Sequence, residues 1–211
     1  GRKWVTMGQS YGGFLTLTTL SLFPSGVIAS FTTGGIPHVP ACATEVYEHT
    51  FPRMIRKTAQ FYERYPQDKE RVAAIAEKLP TAAEVSEFVG KLTDSVLNPM
   101  AETEVEHRLG VIAGMAAHGF PIMPNGDPLT VERLQCLGSD FGKKPSFERV
   151  HWILDSAFLD GDGSASAAWA WSDEFLIRVM NATSSRPLYW PLQEFIYANG
   201  EMDQPIRWAA Q

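Results

Sequence analysis

The chain has 211 residues, 45% of them apolar and 20% charged, with a net charge of -6 and a pI near 5.4. That length suits one sizeable core or two small ones, and the composition is that of an ordinary globular chain. The acidic balance leaves no basic stripe to neutralise phosphates, which argues against nucleic acid as a partner. No apolar run reaches the roughly 18 residues that would make a membrane span. No signal-peptide pattern is visible. Cys42 and Cys136 lie far apart with no CxxC spacing, which predicts free thiols and a reducing, cytoplasmic compartment.

Taken in chain order, WVTM at 4–7 is apolar and β-prone and ends at Gly8, which predicts a short strand. Tyr11 to Phe23 carries apolar residues at helical spacing and is closed by Pro24-Ser25-Gly26. Val27 to Thr33 reads as a buried strand ended by Gly34-Gly35. Strand, crossover helix and strand together predict a right-handed parallel βαβ unit.

Beyond Pro40 no convincing strand appears. Helices are predicted over Ala43 to Tyr65, with Pro52 kinking or splitting it, and over Pro66 to Leu79, with acidic residues suiting the dipole of its first turn. A third should start at the capping-box sequence Thr81-Ala82-Ala83-Glu84, and a fourth should run from Glu102 to His118. PNGDPLT at 124–130 reads as a turn cluster. Val131 to Phe141, Phe147 to Leu159, Ala165 to Thr183 and Leu188 to Ala198 complete the helical reading. The chemistry-bearing pattern is therefore a small α/β piece, 1–40, followed by a long helical region, 41–211.

Within the α/β piece, Gly8-Gln9-Ser10-Tyr11-Gly12-Gly13 joins the first strand to the first helix. A Gly-x-Ser-x-Gly turn at a strand end projects a serine Oγ from the sheet on a strained backbone. Crowding between the flanking positions predicts that Gly8 and Gly12 must lack side chains. Ser10 is the candidate nucleophile, and the Tyr11 backbone N–H is the natural first oxyanion donor. A base and an orienting acid should follow, in the order Ser, Asp or Glu, His. The histidines are His38, His49, His107, His118 and His151. Only His38 lies beside the α/β piece, and the others read as helix-surface or core-edge residues.

No metal or cofactor pattern emerges. In DGDGS at 160–164 an EF-hand reading from Asp160 would put Ala165 and Trp171 where Gly and Glu are needed. Glu102, Glu104 and Glu106 read as a solvated helix start. Trp169, Trp171, Tyr189 and Trp190 fit either an apolar pocket or internal packing.

GQSYGGF, with the strand end TTGGIP, resembles the prolyl aminopeptidases, or proline iminopeptidases, of the α/β-hydrolase fold, especially members with an enlarged helical cap. The resemblance continues through VYEHTFPRMIRKTAQFYERYPQDKERV, MPNGDPLTVERLQCLG, FERVHWILDSAF, PLYWPLQEFIYANG and RWAAQ. It implies a partial α/β-hydrolase core (strand, nucleophile elbow, helix, strand) followed by a large all-helical cap. It implies a serine exopeptidase that takes peptides with an N-terminal proline and uses no cofactor. Glu194, in a Glu-x-x-Tyr context with Tyr197, would bind the substrate amine; Gln193 stands where the family more often has His. The family's His-Gly-Gly-Pro oxyanion segment and its triad Asp and His have no counterpart here, so the chain reads as an internal piece of such an enzyme, inactive and poorly soluble alone. Two other readings are an esterase or amidase of the same fold and a non-catalytic helical interaction module.

Overall fold

A computed structural model describes residues 2–35, 42–94, 103–143, 146–158, 170–185, 188–192 and 194–197. The backbone divides into two compact units, Gly1–Arg53 with Leu188–Gln211, and Met54–Pro187.

The first unit contains the βαβ arrangement. Strand β1, Trp4–Gln9, pairs in parallel with β2, Val27–Thr33, from Trp4 opposite Val27 to Gln9 opposite Thr33, with one irregularity between Trp4 and Val5. Helix α1, Tyr11–Leu22, and a 3-10 turn at Pro24–Gly26 make the crossover. Parallel neighbours need a crossover connection, which α1 supplies, and this is the pairing the sequence predicts. Side chains tie the layers: Thr6 Oγ1 donates to Ser30 Oγ at 3.0 Å, and the Thr16 and Thr32 hydroxyls meet at 2.9 Å. Helix α1 carries no charged residue and still exposes Tyr11, Leu15, Leu20 and Leu22. Trp4 and Met7 on β1 and Ile28 and Phe31 on β2 are more than half exposed as well. Helices apolar on every side are those buried within larger folds.

Helix α2, Ala43–Arg64, begins in the first unit and ends in the second, and runs unbroken through Pro52. Of the two outcomes expected at Pro52, a kink or a split, the split is not realised. Proline removes one i to i−4 bond, and the 21 other residues of this strongly amphipathic 22-residue helix keep it continuous. The second unit continues with α3, Gln67–Glu77; α4, Ala82–Leu92; α5, Glu104–His118; α6, Val131–Gln135; α7, Phe147–Asp155; and α8, Asp173–Ser184. The Thr81 capping box forms as predicted: the Thr81 hydroxyl accepts from the Glu84 N–H, and Glu84 accepts from the Thr81 N–H at 2.7 Å. Thr103 and Glu106 repeat the device on α5, which ends at Gly119 with φ 97.

Three helices are shorter than predicted. The 131–141 segment turns from α6 into a 3-10 stretch at Cys136–Gly142. Helix α7 stops at Asp155, because Phe158 leaves it to bridge Trp171 in antiparallel fashion. Trp171 lies in that bridge and Ser172 is extended, so α8 starts only after Ser172, whose hydroxyl accepts from the Phe175 N–H at 3.0 Å. Near the chain's end, α9, Tyr189–Leu192, and a 3-10 turn at Glu194–Tyr197 replace the single predicted helix.

The core of the second unit gathers Phe61, Ile75, Met123, Leu129, Phe175 and Val179, each essentially inaccessible. Phe61 packs on Phe141 and Phe147 with ring centroids 5.0 and 5.8 Å away. A cluster of ionisable groups is enclosed beside it. The Asp68 carboxylate is fully buried; it pairs with Arg71 and lies 2.8 Å from His151 Nδ1, while Arg71 reaches Asp155 at 2.7 Å. Tyr65 stacks on the His151 ring at 4.0 Å. Burial, and secondarily the charge of Asp68, raises the Tyr62 hydroxyl above its ordinary value. The cluster fastens α3 to α7, and among the described residues no buried side-chain donor or acceptor lacks a partner. Among the described residues no helix is long and apolar enough to cross a membrane.

Ile75 makes no contact with water, so Ile75→Ala should destabilise the second unit by roughly 2–5 kcal/mol, read as a lowered urea midpoint. Hydrogen bonds from Thr81 hold the Glu84 carboxyl below its ordinary value of 4.5. A carboxylate with a depressed folded pKa stabilises above its unfolded pKa, and that contribution disappears as pH falls through the folded value. Thermal melts of Glu84→Gln, which removes the titrating group, should therefore show a shallower loss of stability between neutral and acid pH than the parent.

Candidate active site

β1 does not run smoothly into α1. Ser10 stands between them at φ 54 and ψ -121, and is the single non-glycine residue with positive φ among the described residues. An L-residue held there costs about 1–3 kcal/mol and needs surrounding structure to hold it. Two backbone bonds do so: the Ser10 N–H donates to the Thr33 carbonyl at 2.9 Å, and the Gly13 N–H donates to the Ser10 carbonyl at 2.8 Å. Ser10 itself is exposed. The first N–H groups of α1, that of Tyr11 among them, have no intrahelical acceptor and sit at the positive end of the helix dipole. The candidate nucleophile thus stands directly beside the backbone N–H groups of a helix N-terminus.

The glycines show where the crowding lies. A Cβ on Gly8 would come 1.9 Å from the Gly12 carbonyl oxygen. On Gly13 it would meet Gly35 Cα at 2.8 Å and Thr32 Cγ2 at 2.9 Å. Gly12 differs from the expectation: a Cβ there meets nothing within 4 Å. The pressure between the flanking positions is one-sided, because it is the Gly12 backbone, not its missing side chain, that faces Gly8. Gln9 is the last residue of β1, opposite Thr33.

The other candidates separate. His38 lies outside the described residues. His151 is engaged with Asp68 and Tyr65, and His118 stacks on Phe88 at 4.3 Å with Phe120 at 4.7 Å. His49 is exposed on α2, and His107 is half-buried on α5. Glu194 and Tyr197 open and close one 3-10 turn, in the same compact unit as Ser10. Gln193 lies outside the described residues. Of the aromatic set, Trp171 stacks on Phe158 and Phe175 within the second unit, so it serves packing. Tyr189 begins α9, and Trp169 lies outside the described residues. The DGDGS segment and Glu102 also lie outside them, while Glu106 caps α5. Among the described residues no group of three or more His, Cys, Asp or Glu could hold a metal ion. Cys42 and Cys136 are unpaired, and burial pushes the Cys136 thiol up.

Sequence reasoning passed over the strand end opposite the elbow. Thr33 supplies the acceptor for Ser10, and a Cβ on Gly35 would come 1.9 Å from the Ser10 carbonyl oxygen. The only trace in the sequence is a Gly-Gly pair directly after a strand, which reads equally well as a simple strand terminator.

Over 208 residues, 99% of its length, the chain is 30% identical to the proline iminopeptidase of Aeromonas sobria. This chain is homologous to the proline iminopeptidases. It spans 38% of the length of that relative. The proline iminopeptidase aneH of Aspergillus aculeatus is also 30% identical, over 117 residues that make up 56% of this chain and 23% of that protein. No protein-family model matches the chain. The similarity to the Aeromonas sobria iminopeptidase takes in the elbow and the helical region alike, since all but a few residues are aligned.

Gly8→Ala should force the elbow open and cost about 1–3 kcal/mol by overpacking, whereas Gly12→Ala, in open space on a helix, should cost nothing. Amide hydrogen exchange across residues 4–22 should be faster in the first variant and no faster than the parent in the second.

Proposed function

We propose that Ser10 is the nucleophile of a serine exopeptidase that releases N-terminal proline from peptides. The observation that carries this reading is the backbone of Ser10, held at positive φ between a strand end and a helix N-terminus. Homology to proteins named proline iminopeptidase supports the peptidase class and the proline substrate. Because the chain spans 38% of its relative, the activity is proposed for a longer polypeptide. Residues 1–40 would form part of its α/β-hydrolase core and 41–211 its helical cap. The triad Asp and His would come from outside these residues, and this chain alone would be inactive. The exposed apolar faces of β1, β2 and α1 support burial of the βαβ unit in such a core. Two unpaired cysteines support a cytoplasmic location.

In this mechanism the histidine base removes the Ser10 hydroxyl proton as Oγ bonds to the carbonyl carbon of the N-terminal residue. The oxyanion that forms lies at the N-terminus of α1, where the Tyr11 N–H donates to it. Collapse breaks the peptide bond, the amine leaves with the proton from the histidine, and water then hydrolyses the prolyl ester. Glu194, with Tyr197 on the same turn, receives the free α-ammonium of the substrate; a carboxylate in this role makes the charge-assisted bond that separates an exopeptidase from an esterase.

In the full-length protein, Ser10→Ala should abolish release of proline from a chromogenic amide and prevent labelling by a fluorophosphonate. Glu194→Gln should lose amide turnover and keep turnover of an ester lacking the amine. Activity in Ser10→Ala would overturn the nucleophile assignment, and equal loss of both substrates in Glu194→Gln would overturn the amine site.

A further inference from the structure

The end of β2, rather than the Gly-x-Ser-x-Gly turn alone, determines where the nucleophile points. Ser10 makes its backbone contacts in two directions. Its N–H is held by the Thr33 carbonyl at 2.9 Å, and its own carbonyl holds the Gly13 N–H at 2.8 Å. That same carbonyl oxygen occupies the space where Gly35 lacks a side chain, since a Cβ on Gly35 would lie 1.9 Å from it, 3.0 Å from the Ser10 carbonyl carbon and 2.8 Å from Gly13 Cα. Gly35 is buried. Its obstacles are all backbone atoms, which cannot swing aside as the end of a flexible side chain can. Gly34 beside it turns the chain at φ 62 and brings Gly35 against the elbow.

We infer that Gly35 is a positioning residue for Ser10: its bare Cα lets the Ser10 carbonyl seat against the end of β2, and so orients both the Oγ and the neighbouring Tyr11 N–H. This rests on the reading of Ser10 as the nucleophile. A methyl group at Gly35 pushes the Ser10 peptide away from β2. The displacement falls on the two groups that must converge on one carbonyl, whereas binding of the substrate amine at a separate carboxylate is untouched. Misplacing reacting groups by about 1 Å can cost on the order of 100-fold in rate. The defect should therefore fall on kcat and on Ser10 reactivity, not on KM.

The test uses the full-length protein and three forms: the parent, Gly35→Ala and Gly26→Ala. Gly26 lies in the Pro24–Gly26 turn, where a Cβ meets nothing within 4 Å. Each form is followed by fluorophosphonate labelling of Ser10, by kcat and KM on a proline amide, and by circular dichroism and melting temperature. Gly35→Ala should remain folded, with labelling rate and kcat lowered on the order of 100-fold and KM nearly unchanged. Gly26→Ala should stay within about 2-fold of the parent throughout, as for a surface change. A folded Gly35→Ala with parental labelling and kcat overturns the inference. A Gly35→Ala that unfolds outright also overturns it, by making Gly35 a folding residue. A loss of kcat matched by Gly26→Ala overturns it too. Failure of the parent itself to be labelled at Ser10 overturns instead the nucleophile reading on which the inference rests.

Discussion

An L-serine at positive φ is unstable by itself, and the first unit is arranged around holding one there. The strain of about 1–3 kcal/mol at Ser10 is opposed by hydrogen bonds on both sides of the residue and by three close backbone approaches, at Gly8, Gly13 and Gly35. None of those approaches tolerates a side chain, and none is local to the tripeptide that contains the serine. The parallel register that brings Gln9 opposite Thr33 is what puts the second strand's end within reach. A shift of that register would remove the Thr33 acceptor and the Gly35 contact together. The geometry of Ser10 is thus a property of the βαβ unit as a whole.

The two units solve burial differently. Met54–Pro187 has a core of its own, in which Phe61, Ile75, Leu129, Phe175 and Val179 exclude water. It can also enclose a carboxylate, because Asp68 finds both a guanidinium and an imidazole. A buried ionised group left with a single missing partner is heavily destabilising, so that cluster demands a fixed arrangement of α3 and α7. The βαβ unit has buried glycines and Thr16 at its interior but leaves large side chains such as Trp4, Met7 and Ile28 in solvent. Its packing is concentrated where strand, helix and strand meet, which is also where Ser10 lies.

Much of the element order was legible because it depends on local chemistry. Thr81 and Glu84 name a helix start by the bonds they make to each other's backbone, and the structure has that box. The strand, helix and strand around the elbow are likewise close to their predicted limits, since apolar runs bounded by Gly and Pro leave little choice. The boundaries that differ have other causes. Phe158 and Trp171 leave helical paths because they bridge one another from 13 positions apart in the sequence. Pro52 does not divide α2, since the helix gains more from its amphipathic length than one missing bond costs.

From the order of residues alone, Ser10 falls at a strand-to-helix turn flanked by glycines, and a long helical region follows. Those features are written in neighbouring residues, and hydrogen bonding within a few positions enforces them. That order could not say which glycines are sterically required. Gly12 belongs to the motif and faces open space, while Gly35 lies outside the motif and touches the Ser10 carbonyl. That depends on the folded arrangement, because the contact joins two strands through a crossover, and the distance between their ends is set by sheet pairing and not by sequence separation.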